Sequence, residues 1–298
     1  SNCSLLTTVF IPSSVTTIGK NAFFRVRHIV YRGTAPGSPW GASFMNGTID
    51  DGFVYDDSVG TILLGYVGNQ ANVVIPNGVT AIGKEAFSRY PGIISVEIPT
   101  SVTSIGDGAF GNCRNLSYIN IPNGVVSIGR AAFLGCSSLT YVDVPNSVTS
   151  IGDEAFNKCD NLISVSLSDN IEIIEDKLFF ECSNLLSVDI PNGVTTIRGN
   201  AFHSCTNLLS VSIPNSVTSI GYGAFRGCKS LTSVIIPDGV ITIGGFAFNG
   251  CKSLTTISIP STLSSVGGFA FSYCDSLTSV VIPESVTSIS SDAFYVTT

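Results

Sequence analysis

Apolar positions in this chain follow neither a plain helical nor a plain strand period. From Leu116 to Cys136 they fall at Leu116, Ile119, Ile121, Val125, Ile128, Ala132, Phe133 and Cys136, with polar or small residues between. Leu116, Ile119 and Ile121 are spaced by three and two with β-branched residues at the centre, which predicts a short strand with one buried face. Pro122-Asn123-Gly124 ends it, because proline cannot donate to a ladder and Asn-Gly accepts a left-handed backbone. Val125 and Ile128 point inward again before Gly129 breaks the run. Ala132, Phe133 and Cys136 then stand at i, i+1 and i+4, a spacing that predicts one face of a single helical turn.

The same string returns every 23 residues. Ile-Pro or a close variant begins at Ile75, Ile98, Ile121, Val144, Leu167, Ile190, Ile213, Ile236, Ile259 and Ile282, and only Leu167 lacks its proline, carrying Ser168 instead. A second column is Phe87, Phe110, Phe133, Phe156, Phe179, Phe202, Phe225, Phe248, Phe271 and Phe294. A third is Cys113, Cys136, Cys159, Cys182, Cys205, Cys228, Cys251 and Cys274. One unit cannot cover its own apolar groups. Stacked copies bury them in one continuous core, each touching only its neighbours. The expected object is a parallel-strand coil with strands ~4.8 Å apart, so that ten turns span roughly 45–50 Å.

The first segment obeys the same code at Cys3, Leu6, Val9, Ile11-Pro12, Val15, Ile18-Gly19 and Ala22-Phe23. Ile11 and Ile75 are 64 residues apart, so an insertion interrupts the array. The expected organisation is N-terminal repeats over 1–32, an insertion with a β-hairpin over 33–70, and a continuous array of ten 23-residue repeats over 71–298. The hairpin strands are placed near Phe53–Tyr55 and Thr61–Tyr66, with Asp56, Asp57 and Gly60 at the turn. His28, Trp40 and Met45 set this stretch apart from the array. Cys3 already fills the ladder position of a preceding unit, and Thr297 stands where a last ladder cysteine is due. The chain therefore reads as a piece of a longer protein.

Taken as a unit, Ile190-Pro-Asn-Gly-Val-Thr-Thr-Ile-Arg-Gly-Asn-Ala-Phe202 and Ile213-Pro-Asn-Ser-Val-Thr-Ser-Ile-Gly-Tyr-Gly-Ala-Phe225 resemble the BspA-like, or treponemal-type, leucine-rich repeat. Glu175 and Arg198 in place of the unit glycine, and Ser168 in place of proline, are departures from it. The stretch from Asp51-Gly-Phe-Val-Tyr to Leu63-Leu-Gly-Tyr also resembles a hairpin linker of that family. The resemblance implies an α/β leucine-rich-repeat solenoid. Its parallel sheet would line a concave face, with short helical turns on the other side. It further implies an extracellular or cell-surface location and an adhesin-like role toward host proteins or other cells, and it brings no catalytic residues.

Composition narrows the function. Fourteen Lys+Arg against 21 Asp+Glu give a net charge of −7, which offers no footprint for nucleic acid. No run of about 18 apolar residues predicts membrane insertion. All nine cysteines share one phase, which predicts a lane of buried thiols instead of a disulfide framework. Ligands 23 residues apart in a row cannot surround zinc, and neither a metal nor any cofactor is expected. Gly106-Asp-Gly-Ala-Phe-Gly111 matches a dinucleotide fingerprint in letters only, since it lies inside one repeat. His28 and His203 stand alone, with His203 expected to face solvent, and neither has a partner spaced for nucleophilic catalysis. Asp50, Asp51, Asp56 and Asp57 lack the alternating oxygen spacing of a calcium loop and read as a solvated hairpin face.

What remains is the outward side of the strands. One lane runs Ser95, Tyr118, Tyr141, Ser164, Ser187, Ser210, Ser233, Thr256 and Ser279, and its neighbour runs Glu97, Asn120, Asp143, Ser166, Asp189, Ser212, Ile235, Ser258 and Val281. Against that hydroxylated background, Glu97, Tyr118, Asn120, Tyr141, Asp143 and Asp189 form a candidate ligand-binding patch of large rigid rings with polar handles. The expected function is a non-catalytic binding module, monomeric, that recognises a protein on a host or neighbouring cell. A carbohydrate-binding or scaffolding module, with the tyrosines stacked on sugar rings, is the alternative. An enzyme built in the 33–70 insertion is a third class, and the absence of a nucleophile–base pair there counts against it.

Overall fold

The computed structural model describes residues 8–24, 26, 28–31, 35–36, 44–45, 48–56 and 61–295. Cys3, Leu6, Trp40, Asp57, Gly60 and Thr297 lie outside the described residues.

Each turn of the array contributes a three-residue strand with a buried β-branched centre and outward flanks. Val73, Val96, Ile119, Val142, Val188 and Val234 are such centres. These strands pair in parallel with a shift of one repeat, as in Ser95–Glu97 against Tyr118–Asn120 and Tyr141–Asp143 against Ser164–Ser166. The proline after each strand stops the ladder, as the sequence requires. A second parallel ladder follows it in every turn, made of two-residue strands such as Ser104–Ile105, Ser127–Ile128 and Ser150–Ile151. Its isoleucines are the residues just before the unit glycine.

At those glycines the turns approach too closely for a side chain. A Cβ at Gly129 would lie 2.5 Å from Asp107 N, and one at Gly152 would lie 2.4 Å from Arg130 N. Between the ladders the core is a stack of phenylalanines. From Phe87 to Phe294 successive rings lie 5.0–5.7 Å apart with planes within 17° of parallel. The described cysteines are buried beside them. Each of the eight donates its thiol to the phenylalanine carbonyl of the preceding turn, as Cys136 Sγ does to Phe110 O at 3.2 Å.

The expected helical turns are not there, and the α/β class is corrected to a parallel β-solenoid: among the described residues there is no helix. The stretch that carries Ala132, Phe133 and Cys136 is an arch with alternating hydrogen bonds. Ala131, Phe133 and Gly135 donate their N–H groups to Asp153, Ala155 and Asn157 of the next turn at 2.7–2.8 Å. Ala132, Leu134 and Cys136 close local i−3 turns at 3.0–3.3 Å. Half the amides are thereby committed between turns, so no continuous helical ladder can form. The arch also enters the left-handed region twice per turn. Ala131 (φ 53°) and Gly135 (φ 70°) do so here, and Glu154 (φ 61°) and Lys158 (φ 58°) in the next turn. An i, i+1, i+4 spacing met the core by a different route.

The hairpin strands pair as Phe53–Tyr55 against Ile62–Tyr66, antiparallel. A further strand, Thr48–Asp50, pairs with Phe53–Tyr55 across Asp51 (φ 42°) and Gly52 (φ 81°), whose shared positive φ makes the tight turn that Asp-Gly favours. Ile62–Tyr66 then runs parallel to Ala81–Ile82, which joins the hairpin to the second ladder. Tyr66 continues the aromatic stack, 5.0 Å from Phe53 and 5.6 Å from Phe87. Upstream, Thr8–Phe10, His28–Val30 and Phe44–Met45 form a separate parallel sheet over a second cluster of Val26, Ile29, Tyr31 and Ala35. Tyr31 ties that cluster together by donating its hydroxyl to Val15 O and accepting from Ala35 N.

Candidate interaction surface

The strand alternation that buries Ile119 and Val142 sends their neighbours outward. Tyr118 is 56% exposed and Tyr141 is 50% exposed, in the same column of successive turns. Glu97 and Asn120 are paired across the ladder, and Asp143 is the next residue of that lane. These five exposed side chains therefore share one face over three turns. Asp189 is exposed on the same lane but stands two turns beyond Asp143, with Ser166 between them.

A second set of residues extends this face. Ile94, Ile163, Leu186 and Leu209 occupy the column just before the serine lane and are 41–52% exposed. With Tyr118 and Tyr141 they give one large exposed apolar side chain in each of six successive turns, and Ile235, 75% exposed, adds a seventh. Contiguous exposed apolar groups of this kind mark contact surfaces. Sequence reasoning missed the aliphatic members because they directly follow the buried leucine of each unit, as Leu186 follows Leu185, and so look like core. The two outward strand lanes hold Glu97, Asp143 and Asp189 and no lysine or arginine, so the band has an acidic margin.

The other candidates are structural. His203 is half-buried, not solvent-facing as expected; its Nδ1 lies 3.1 Å from Asn200 Oδ1 and its ring 4.7 Å from Phe180. Burial, reinforced by Arg226 and opposed by Glu181, lowers its pKa and favours the neutral ring. Asp56 accepts a hydrogen bond from Ile62 N at 3.0 Å, and Asp50 and Asp51 stay exposed on the hairpin. Burial, with help from those two carboxylates, raises the Tyr55 pKa. Among the described residues no group of three or more His, Cys, Asp or Glu side chains is placed to hold a metal ion. No helix of the described residues is long and apolar enough to cross a membrane.

Comparison with known proteins agrees with this architecture. A family profile described as "BspA type Leucine rich repeat region" matches in six copies over residues 1–31, 64–186 and 197–298. Among solved structures, a leucine rich cell surface protein from Faecalibacterium prausnitzii is 29% identical, with a TM-score of 0.51 over 85% of this chain and 86% of that one. The leucine rich repeat protein of T. pallidum is 32% identical, with a TM-score of 0.58 over 62% of this chain and 91% of that one. The pneumococcal vaccine antigen PcpA, 20% identical with a TM-score of 0.53 over 81% of this chain and 78% of that one, shares the fold. No curated protein matches the chain at a significant level.

Proposed function

The chain belongs to the BspA-type leucine-rich repeat family, and on that footing we propose that it is a non-catalytic binding module of a secreted or cell-surface protein. Its partner is a protein, engaged along the band that runs from Ile94 through Tyr118 and Tyr141 to Leu209. The observation that carries this reading is the unbroken succession of exposed large apolar side chains on an otherwise hydroxylated ladder. The tyrosines supply rigid contact area with polar tips, and the aliphatics extend it along the solenoid axis. Glu97, Asp143 and Asp189 select a partner whose apolar ridge is flanked by basic residues. The description of the Faecalibacterium relative as a cell surface protein supports the compartment.

The second reading is a carbohydrate-binding module. Tyr118 and Tyr141 beside Glu97, Asn120 and Asp143 favour it, since sugar rings stack on exposed aromatics and hydrogen-bond to carboxylates and amides. Ile163, Leu186 and Leu209 favour protein, because they continue the band without any ring to stack on.

The test compares the parent chain with a Tyr118→Ala/Tyr141→Ala variant, probing a glycan array and immobilised host-cell surface proteins in parallel. The expected outcome is protein capture by the parent, at least about tenfold weaker in the variant, with far-ultraviolet circular dichroism unchanged. Equal capture by a folded variant would remove the band from the account. Array signals without protein capture would favour the carbohydrate reading.

A further inference from the structure

The second ladder is interrupted once. In every turn the residue two before the ladder isoleucine donates its N–H to the equivalent residue one turn back. Thr149 N reaches Val126 O at 2.9 Å and Thr195 N reaches Glu172 O at 2.8 Å. Among the described residues the step between them, Glu172 N to Thr149 O, has no such bond. The next row behaves alike. Gly152 N reaches Ile128 O and Arg198 N reaches Ile174 O, both at 2.8 Å, while Glu175 N does not bond Ile151 O. Ser150–Ile151 and Ile173–Ile174 accordingly belong to different sheets.

The cause lies in the glycine column. Glu175 brings a side chain to a position where the turn below allows none, and its turn rides away from Gly152. Phe156 and Phe179, at 5.7 Å, are the widest step of the ring stack. The rest of the turn stays closed. Lys158 N still reaches Phe180 O at 2.8 Å, and Tyr141–Asp143 still pairs with Ser164–Ser166. The result is a one-sided wedge, a cleft of about 510 Å³ between residues 149–151 on one wall and residues 170–173 with Glu175 on the other.

This cleft exposes the parts of an unfinished parallel ladder: the N–H groups of Glu172 and Glu175 facing the carbonyls of Thr149 and Ile151. Unpaired ladder groups are the template on which an extended chain adds as a strand. Charge sets the kind of chain. Arg198 Nη1 lies 2.6 Å from Glu175 Oε2, whereas among the described residues no cation pairs with the exposed Glu172. We propose that this cleft binds an extended basic peptide segment, which completes the interrupted ladder with its backbone and sets a lysine or arginine against Glu172. The site lies on a different ladder from the apolar band, so it stands or falls independently of that reading.

The test uses the full chain and a synthetic octapeptide of alternating threonine and lysine. Its control is the same peptide N-methylated at alternate residues, equal in charge but stripped of the donors along one edge. The readout is amide hydrogen exchange over residues 170–176. The unmethylated peptide is expected to slow exchange there about tenfold or more, and the methylated one to leave it unchanged. Glu175→Gly restores the column glycine, closes the step and is expected to weaken binding at least about tenfold. Glu172→Thr, the residue type at 149 and 195, is expected to weaken it about tenfold at low salt. Unchanged exchange would mean that the cleft holds solvent only. Equal protection by the methylated peptide would mean general attraction to an acidic chain, and undiminished binding to either variant would place the peptide elsewhere. Each of these overturns the proposal.

Discussion

At the scale of single residues, the cysteine column shows how a repeat converts a reactive side chain into a structural one. Burial raises the pKa of Cys136, Cys159, Cys182, Cys205 and Cys251 well above the ordinary thiol value, and Cys274 is pushed up to about 12. Each S–H also donates to a backbone carbonyl of the turn below, a bond that a thiolate cannot make. Two consequences follow from the sign of the shift. The folded chain holds these protons more tightly than the unfolded chain, so the stability they contribute is full below the unfolded value. It declines as pH rises above about 8.5, where only the unfolded thiols ionise. A thiol-disulfide reagent at about pH 8 should therefore find nothing to attack in a native Cys3→Ser variant, and eight equivalents once denaturant is added. Rapid stoichiometric labelling of the folded protein would refute a buried lane. The lane itself was legible from spacing, because nine cysteines in one phase can only be neighbours in a stack. The tyrosines were legible too, since each interrupts a column of serines. Ile163, Leu186 and Leu209 were not: an apolar residue beside an apolar residue carries no mark of which one faces water.

At the scale of elements, the three-residue strands announced themselves through a proline that must terminate them and a β-branched centre. The two-residue ladder had no such announcement. Two residues show a single alternation, which is too short for a period, and its real signature was the glycine after each isoleucine. That glycine marks close approach between turns, and its role became visible only beside the backbone of the neighbouring turn. The arch was misread for the opposite reason, because Ala, Phe and Cys at i, i+1 and i+4 imitate a helical face although the amides bond between turns. The Asp51-Gly52 turn carried a strong hairpin signal, and the hairpin expected one strand later is its continuation. The glycine column also gives a quantitative expectation. Gly152→Ala places a methyl 2.4 Å from Arg130 N, so it should cost about 1–3 kcal/mol, the usual range for overpacking. Urea denaturation of Gly152→Ala against the parent measures this. Gly19, with nothing within 4 Å of its Cβ position, is the matched control and should tolerate alanine. Equal effects at the two glycines would show that the column has no steric role.

At the scale of the whole molecule, a solenoid has no contacts between distant turns, so its cohesion is a sum over neighbouring steps and is only as even as those steps are. Here they are uneven. Most are held by two ladders, a row of arch hydrogen bonds and the stacked phenylalanines, but the step between the turns of Phe156 and Phe179 lacks its second ladder. Some local compensation is present. Ser168, at the position of the missing proline, donates to Val148 O at 2.5 Å, and Asn170 Nδ2 donates to Asn146 O at 2.6 Å. The ring stack must still carry a larger share of the coupling there than elsewhere. Phe179→Ala removes a fully buried ring from that step and should cost about 3–5 kcal/mol. Phe225→Ala deletes an equally buried ring where both neighbouring steps keep the second ladder, and should cost a similar amount. The two variants should differ in cooperativity. With Phe179 gone, the array is expected to separate into two units that unfold at different urea concentrations, with a lower apparent m-value and early loss of amide protection over residues 162–185. Phe225→Ala should keep one transition with an unchanged slope. Identical slopes and uniform protection loss in both variants would mean that the interrupted ladder does not weaken coupling along the axis, and that the phenylalanine stack alone holds the turns together.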